Sequence, residues 1–159
     1  MARAWIVLAF AVSVSPAYAQ VTYDGCVDFR GIPVASVLNN AIPDVAAARV
    51  VQGQPVIYYN TVVLSWLPPQ TRLFFYAHEC AHHTLAHLAR GNLGTMEQEA
   101  DCWGVRELYR HGLLDDGDVA TIQSSLKLSP GDWTHLPGPY RAINLAACLG
   151  VGAAQTGRS

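Results

Sequence analysis

Apolar residues are distributed along this chain in three ways. From Trp5 to Val14 they form a nearly continuous run; between Arg49 and Tyr59 they fall into two short β-rich groups; beyond Gln70 they are spread through longer segments with polar residues between. The region Ile32–Asn40 reads as a short helix, with Pro33 tolerated in its first turn and Pro43 beyond its end. Arg49–Gln52 and Pro55–Tyr59, set around Gln52-Gly53-Gln54, are expected to form a hairpin or a pair of short strands. After a turn at Pro68-Pro69, a long helix is predicted from Gln70 to Arg90, closed by Gly91-Asn92. Thr95 and Gln98 have capping-box spacing, so a second helix is expected from Met96 to Arg110, with Gly112 just past its end. A third is expected in "DDGDVATIQSSLKL", capped by Asp116 or Asp118. The segment "SPGDWTHLPGP" reads as a loop and Tyr140–Leu149 as a closing helix. The expected fold is α+β, mainly helical with a short β-hairpin or small sheet.

The first apolar run belongs to a different kind of segment. "MARAWIVLAFAVSVSPAYAQ" has a positive start at Arg3, a short apolar stretch, a break at Ser15-Pro16 and the small-x-small ending Ala17-Tyr18-Ala19. That order predicts a signal peptide over residues 1–19, cleaved between Ala19 and Gln20, and a single domain over 20–159 that is exported to the periplasm or secreted. No later apolar run is long enough to span a bilayer, so no transmembrane anchor is expected after signal removal. The charged fraction is 14% and the formal net charge −2, with no basic run to meet a phosphate backbone, so nucleic acid is not an expected partner. Cys26, Cys80, Cys102 and Cys148 are an even number in a small exported domain, where disulfides persist. Of the three pairings, Cys80 with Cys102 and Cys26 with Cys148 is weakly favoured, since Cys80 and Cys102 each follow a residue assigned to the site below; a free Cys80 is the other reading.

The chemistry concentrates in "HECAHHTLAH". His78 and His82 lie about 40° apart round a helix and reach one metal ion, while Glu79, at about 100°, stands on the flank where a general base must stand. His83 and His87 lie about 140° and 180° away by the same count, so neither is expected to join that site; four residues apart on one face, they read as exposed polar positions, with a second pair as the alternative. A catalytic zinc needs a third protein ligand. The metzincin extension would require a glycine and then a histidine where this chain has Leu85 and Leu88, so it does not apply. On the following helix, "TMEQEADCWG" offers Glu97, Glu99 and Asp101. Glu97 and Asp101 share a face, with Glu97 long enough to ligate and Asp101 placed to accept the outer N–H of a ligand histidine; Glu99 lies about 160° to 200° from both.

"HECAHH" followed by "EQEADCWG" resembles the gluzincin metallopeptidases, in particular the HtpX-like and CaaX-protease-like branch. The resemblance implies a zincin-like core holding one zinc per chain on His78, His82 and Glu97, with Glu79 as base and Asp101 behind a ligand histidine. It extends weakly to "THLPGPYRAI", where Thr134, His135 and Arg141 align by spacing but Leu136 and Ala142 depart from the usual Pro and Ile. There it implies a place for His135 at the rim of the cleft, stabilising an oxyanion or plugging the open metal position; a loop histidine bonded to backbone is the alternative.

The expected activity is that of an exported zinc endopeptidase. Glu79 activates a zinc-bound water against a peptide or unfolded-protein substrate, which lies extended beside the strand at Pro55–Tyr59. Two other classes share the motif: a non-catalytic zinc-stabilised binding or chaperone-like module, and a zinc amidase acting on a non-protein substrate.

Overall fold

The computed structural model describes residues 25–90, 93–128 and 145–150. The expected signal peptide, the Gly91-Asn92 stop, the loop from Ser129 and the start of the expected closing helix lie outside them, as do Thr134, His135 and Arg141. The described chain is α+β. Strands β1 (Ala35–Leu38), β2 (Ala46–Val51) and β3 (Gln54–Tyr59) form a mixed sheet in the order β1-β3-β2, with β1 parallel and β2 antiparallel to β3. Helices follow at α1 (Thr61–Leu64), α2 (Pro69–Thr84), α3 (His87–Arg90), α4 (Leu93–Arg110), α5 (Asp116–Lys127) and α6 (Leu145–Cys148).

The expected hairpin forms with a two-residue turn, because Gln52 and Gly53 take φ of 50° and 80° and so supply the twist that joins right-twisted strands. The helix expected over Ile32–Asn40 does not form. Its residues instead pair as β1 with β3, from Ala35 opposite Val56 to Leu38 opposite Tyr59, and Val34 N–H donates to the Cys26 carbonyl just before them. β-Branched Ile32, Val34 and Val37 suit a strand, and the open side of β3 offers a ladder that local propensity cannot anticipate. The consequence is that β3 is the central strand. The substrate edge expected at Pro55–Tyr59 is therefore already paired on both sides, and β2 carries the edge next to α2.

α2 is the axis of the structure. Proline at its first position costs no hydrogen bond there. One side of α2 packs through Phe74 and Ala77 onto Leu108 of α4 and Ile122 and Leu126 of α5, and the other through Tyr76 and Cys80 onto Ile57 and Tyr59 of the sheet. Every residue from Phe74 to His83 is consequently buried, so "HECAHH" has no solvent-facing side to serve as a polar face. α4 approaches α2 closely at Gly104: a Cβ added there would stand 3.2 Å from the His78 backbone nitrogen.

Three helix boundaries differ from expectation. α4 begins at Leu93, which puts Thr95 inside its first turn and not at the cap; Gly112, with φ of 68°, does end that segment. The cap of α5 is Asp115, whose side chain accepts from the Asp118 N–H while the Asp118 side chain accepts from the Asp115 N–H. Most consequential, the helix predicted to continue to Arg90 stops at Thr84. Ala86 takes φ of 59°, and the chain restarts as α3 at His87. A left-handed alanine costs roughly 1–2 kcal/mol. It is offset by contacts of His87 described below, and no Gly or Pro marks the break.

The disulfides are Cys26–Cys80 and Cys102–Cys148, not the favoured pairing. Each residue along a helix turns about 100°, so a cysteine that follows a site residue is rotated away from the α2–α4 contact. Cys80 accordingly faces the sheet-side cluster with Cys26, and Cys102 meets Cys148 of α6. Two disulfides fit an oxidising compartment. Among the described residues no helix is long and apolar enough to cross a membrane.

Candidate metal centre

α2 carries His78, Glu79 and His82, and α4 carries Glu97 and Asp101 four residues apart on the face that meets them. All five are buried. The His78 and His82 Nε2 atoms face each other at 3.1 Å; Glu97 Oε2 is 3.4 Å from the first and Glu97 Oε1 is 3.3 Å from the second. His78, His82 and Glu97 are thus a group able to hold a metal ion. A tetrahedral ion with bonds of about 2.0–2.1 Å sets its ligand atoms about 3.3–3.4 Å apart. The separations of the two nitrogens from each other and from the nearer Glu97 oxygen, 3.1–3.4 Å, are close to that edge length, and two imidazoles with one carboxylate leave a fourth corner to a non-protein ligand.

The nitrogens turned away from this point are also engaged. His78 Nδ1 is 2.8 Å from Asp101 Oδ1, so its N–H donates to the carboxylate and its Nε2 lone pair is directed to the metal position. His82 Nδ1 is 3.1 Å from His87 Nδ1, and His87 Nε2 is 3.2 Å from Glu99 Oε2. Glu79, beside the ligands, has Oε2 2.6 Å from the Ala48 backbone nitrogen, whose N–H donates to it from β2.

His83 and His87 are not exposed, as expected from the helical count, but buried at 3% and 2% relative accessibility. His83 lies on the sheet side of α2, where its Nε2–H donates to the Val56 carbonyl at 3.0 Å. Burial holds the His83 imidazole below its ordinary pKa, against the opposing pull of the Val56 carbonyl. The angle expected for His87 is void because α2 has ended before it. The turn at Ala86 brings His87 back onto His82, and burial, with His82 beside it, holds His87 below its ordinary pKa despite Glu99. Glu99 likewise acquires a place next to the site through His87. The sequence carried a signal only in the spacing of the histidines, and reading it needed the position of the helix break.

A cavity of about 220 Å³ opens beside His82 and His83, with Phe29, Val50 and Leu88 among its apolar walls and Asp28 and Arg30 at one side. Asp28 orders that side by accepting from the Ile32 and Arg30 backbone N–H groups and from the Arg30 guanidinium. No family model, curated protein or solved structure matches this chain.

Proposed function

We propose that this protein is an exported zinc-dependent endopeptidase with a zincin-like core of the gluzincin type. The reading is carried by one observation: the His78 and His82 Nε2 atoms stand 3.1 Å apart with one Glu97 carboxylate oxygen 3.3–3.4 Å from each, and Glu79 is next to His78 on the same helix. Two imidazoles and a carboxylate are a donor set suited to zinc, and a catalytic site of that kind keeps one position open. Zinc held there supplies Lewis-acid polarisation and lowers the pKa of water towards neutrality. A purely structural site has no use for a base such as Glu79 and ordinarily closes with four protein ligands.

In this reading the chain's own groups do the rest. Glu79 takes a proton from the attacking water and delivers it to the leaving amine. The Ala48 N–H fixes the Glu79 carboxylate next to the outer edge of β2, where an extended peptide would add as a further strand. Asp101 holds His78 in the tautomer that presents Nε2. The cavity next to His82 offers apolar walls to a side chain of the same peptide.

The test is to incubate the protein spanning 20–159, its zinc content measured, with casein as an unfolded substrate, beside a Glu79→Gln variant. Zinc bound by both and cleavage by the parent alone is the expected result. Zinc bound by both with casein intact, and no amide hydrolysis on cell-wall or other non-protein substrates, moves the protein to a non-catalytic binding module. Hydrolysis of a non-protein amide alone makes it an amidase.

A further inference from the structure

His87 and Glu99 have no role in the proposed reaction, yet His87 is among the most buried polar residues described and stands in contact with a metal ligand. Its position depends on a left-handed alanine at the end of α2, since a continuing helix would have carried it to the opposite face. The two hydrogen bonds of His87 determine which way the protons run. The Glu99 carboxylate, 3.2 Å from His87 Nε2, can only accept, so the proton of neutral His87 resides on Nε2. His87 Nδ1 is then a lone pair facing His82 Nδ1 at 3.1 Å, and the proton between them belongs to His82. That leaves His82 Nε2 unprotonated and directed at the position shared with His78 and Glu97.

The reverse arrangement is excluded by the same chemistry. With the proton on His87 Nδ1, a lone pair would face the Glu99 carboxylate, and His82 would carry its proton on Nε2, pointing into the metal position. From this geometry we infer that Glu99, acting through His87, is a positioning pair that fixes the metal-competent tautomer and ring orientation of His82, as Asp101 does directly for His78. The inference rests on the metal site proposed above and adds to it two residues that do not touch the ion. Each ligand histidine is thereby anchored through its outer nitrogen, one by a carboxylate in a single step and the other by a carboxylate through an intervening imidazole.

Zinc affinity, measured by competition with a chromophoric chelator, tests this on His87→Leu, His87→Asn, Glu99→Ala and Glu99→Gln. Removing the acceptor should weaken zinc binding about 10- to 100-fold in His87→Leu and Glu99→Ala. Asparagine places an acceptor oxygen near the position of Nδ1, and glutamine keeps an acceptor for His87 Nε2–H, so His87→Asn and Glu99→Gln should recover most of the affinity. A merely structural role would not separate each pair in that way. Leu108→Ala, destabilising but remote from the ligands' outer nitrogens, serves as the control and should bind zinc as the parent does. Parent-like affinity in both His87→Leu and Glu99→Ala, or no recovery by the conservative variants, overturns the pair while leaving the metal site in place. A parent that takes up no zinc overturns the metal site and the pair with it. Glu99 is half exposed, so its variants carry the test if His87→Leu does not fold.

Discussion

Asp101 Oδ1 lies 2.8 Å from His78 Nδ1, joining α4 to α2 directly behind a candidate ligand. Asp101→Ala removes the acceptor and leaves a buried N–H that costs about 1–3 kcal/mol if unpaired. Zinc affinity should fall about 10- to 100-fold, and Asp101→Asn, which retains an acceptor oxygen, should lose less. Glu97→Ala, by contrast, removes a candidate ligand and should abolish stoichiometric zinc binding. Zinc measured after gel filtration distinguishes the three.

The contact of α4 with α2 at Gly104 sets a second limit. Alanine in a helix interior ordinarily gains about 1 kcal/mol over glycine. Here its Cβ would stand 3.2 Å from the His78 backbone nitrogen and 3.4 Å from the Ala77 carbonyl carbon, neither of which can rotate away. Overpacking of this kind costs about 1–3 kcal/mol, so Gly104→Ala should be net destabilising. It should also weaken zinc binding, because moving α4 moves Glu97 and Asp101 together. Thermal unfolding and chelator competition read the two effects.

Ala86 supports the reverse expectation. Glycine removes the roughly 1–2 kcal/mol cost of a left-handed alanine but gives the unfolded chain about 0.4–1 kcal/mol of added entropy. Ala86→Gly should therefore be neutral or stabilising by up to about 1.6 kcal/mol, and Ala86→Val, β-branched at positive φ, should destabilise. Urea unfolding of the three proteins gives the order.

Each disulfide closes a long loop, Cys26–Cys80 across 54 residues and Cys102–Cys148 across 46. Loops of that length correspond to about 4 kcal/mol of stabilisation apiece through the unfolded chain. Replacing either pair with serine should lower unfolding free energy by that order, and reduction of the parent should lower it further than either replacement alone.

Asp28 gives an acid limb to stability. Burial raises its pKa, but the Ile32 and Arg30 N–H groups and the Arg30 guanidinium outweigh burial and hold the carboxyl below its ordinary value. A carboxylate lowered in the folded state contributes stability that is present above its unfolded value and lost as pH falls through the folded one. Asp28→Asn should flatten the loss of stability below about pH 4, where the unfolded carboxylate begins to take up its proton. Urea midpoints of the metal-free proteins at pH 7 and pH 3 measure the difference.

The relation of His78 to His82, the shared face of Glu97 and Asp101, the hairpin at Gln52-Gly53 and the existence of α2, α4 and α5 were legible in the sequence. Each depends on spacing within one element, where a fixed rotation per residue determines which side chains are neighbours. The same rule failed at His87, because it assumed a helix that had already ended; the favoured pairing of Cys80 with Cys102 failed because it rested on adjacency to site residues, which says nothing of the face a side chain takes. β1 was misread as helix because its ladder partner is supplied by β3.

What the sequence by itself determined is the grouping of His78, His82, Glu97 and Asp101 on the facing sides of α2 and α4 and the α+β character of the chain. Only the tertiary structure decided which strand is central, which cysteines meet, that His83 is buried against the sheet, and that His87 and Glu99 stand behind His82. These depend on which faces are buried together and on a chain reversal at Ala86 whose local cost is offset by long-range contacts, and no local periodicity encodes a balance between distant parts of the chain.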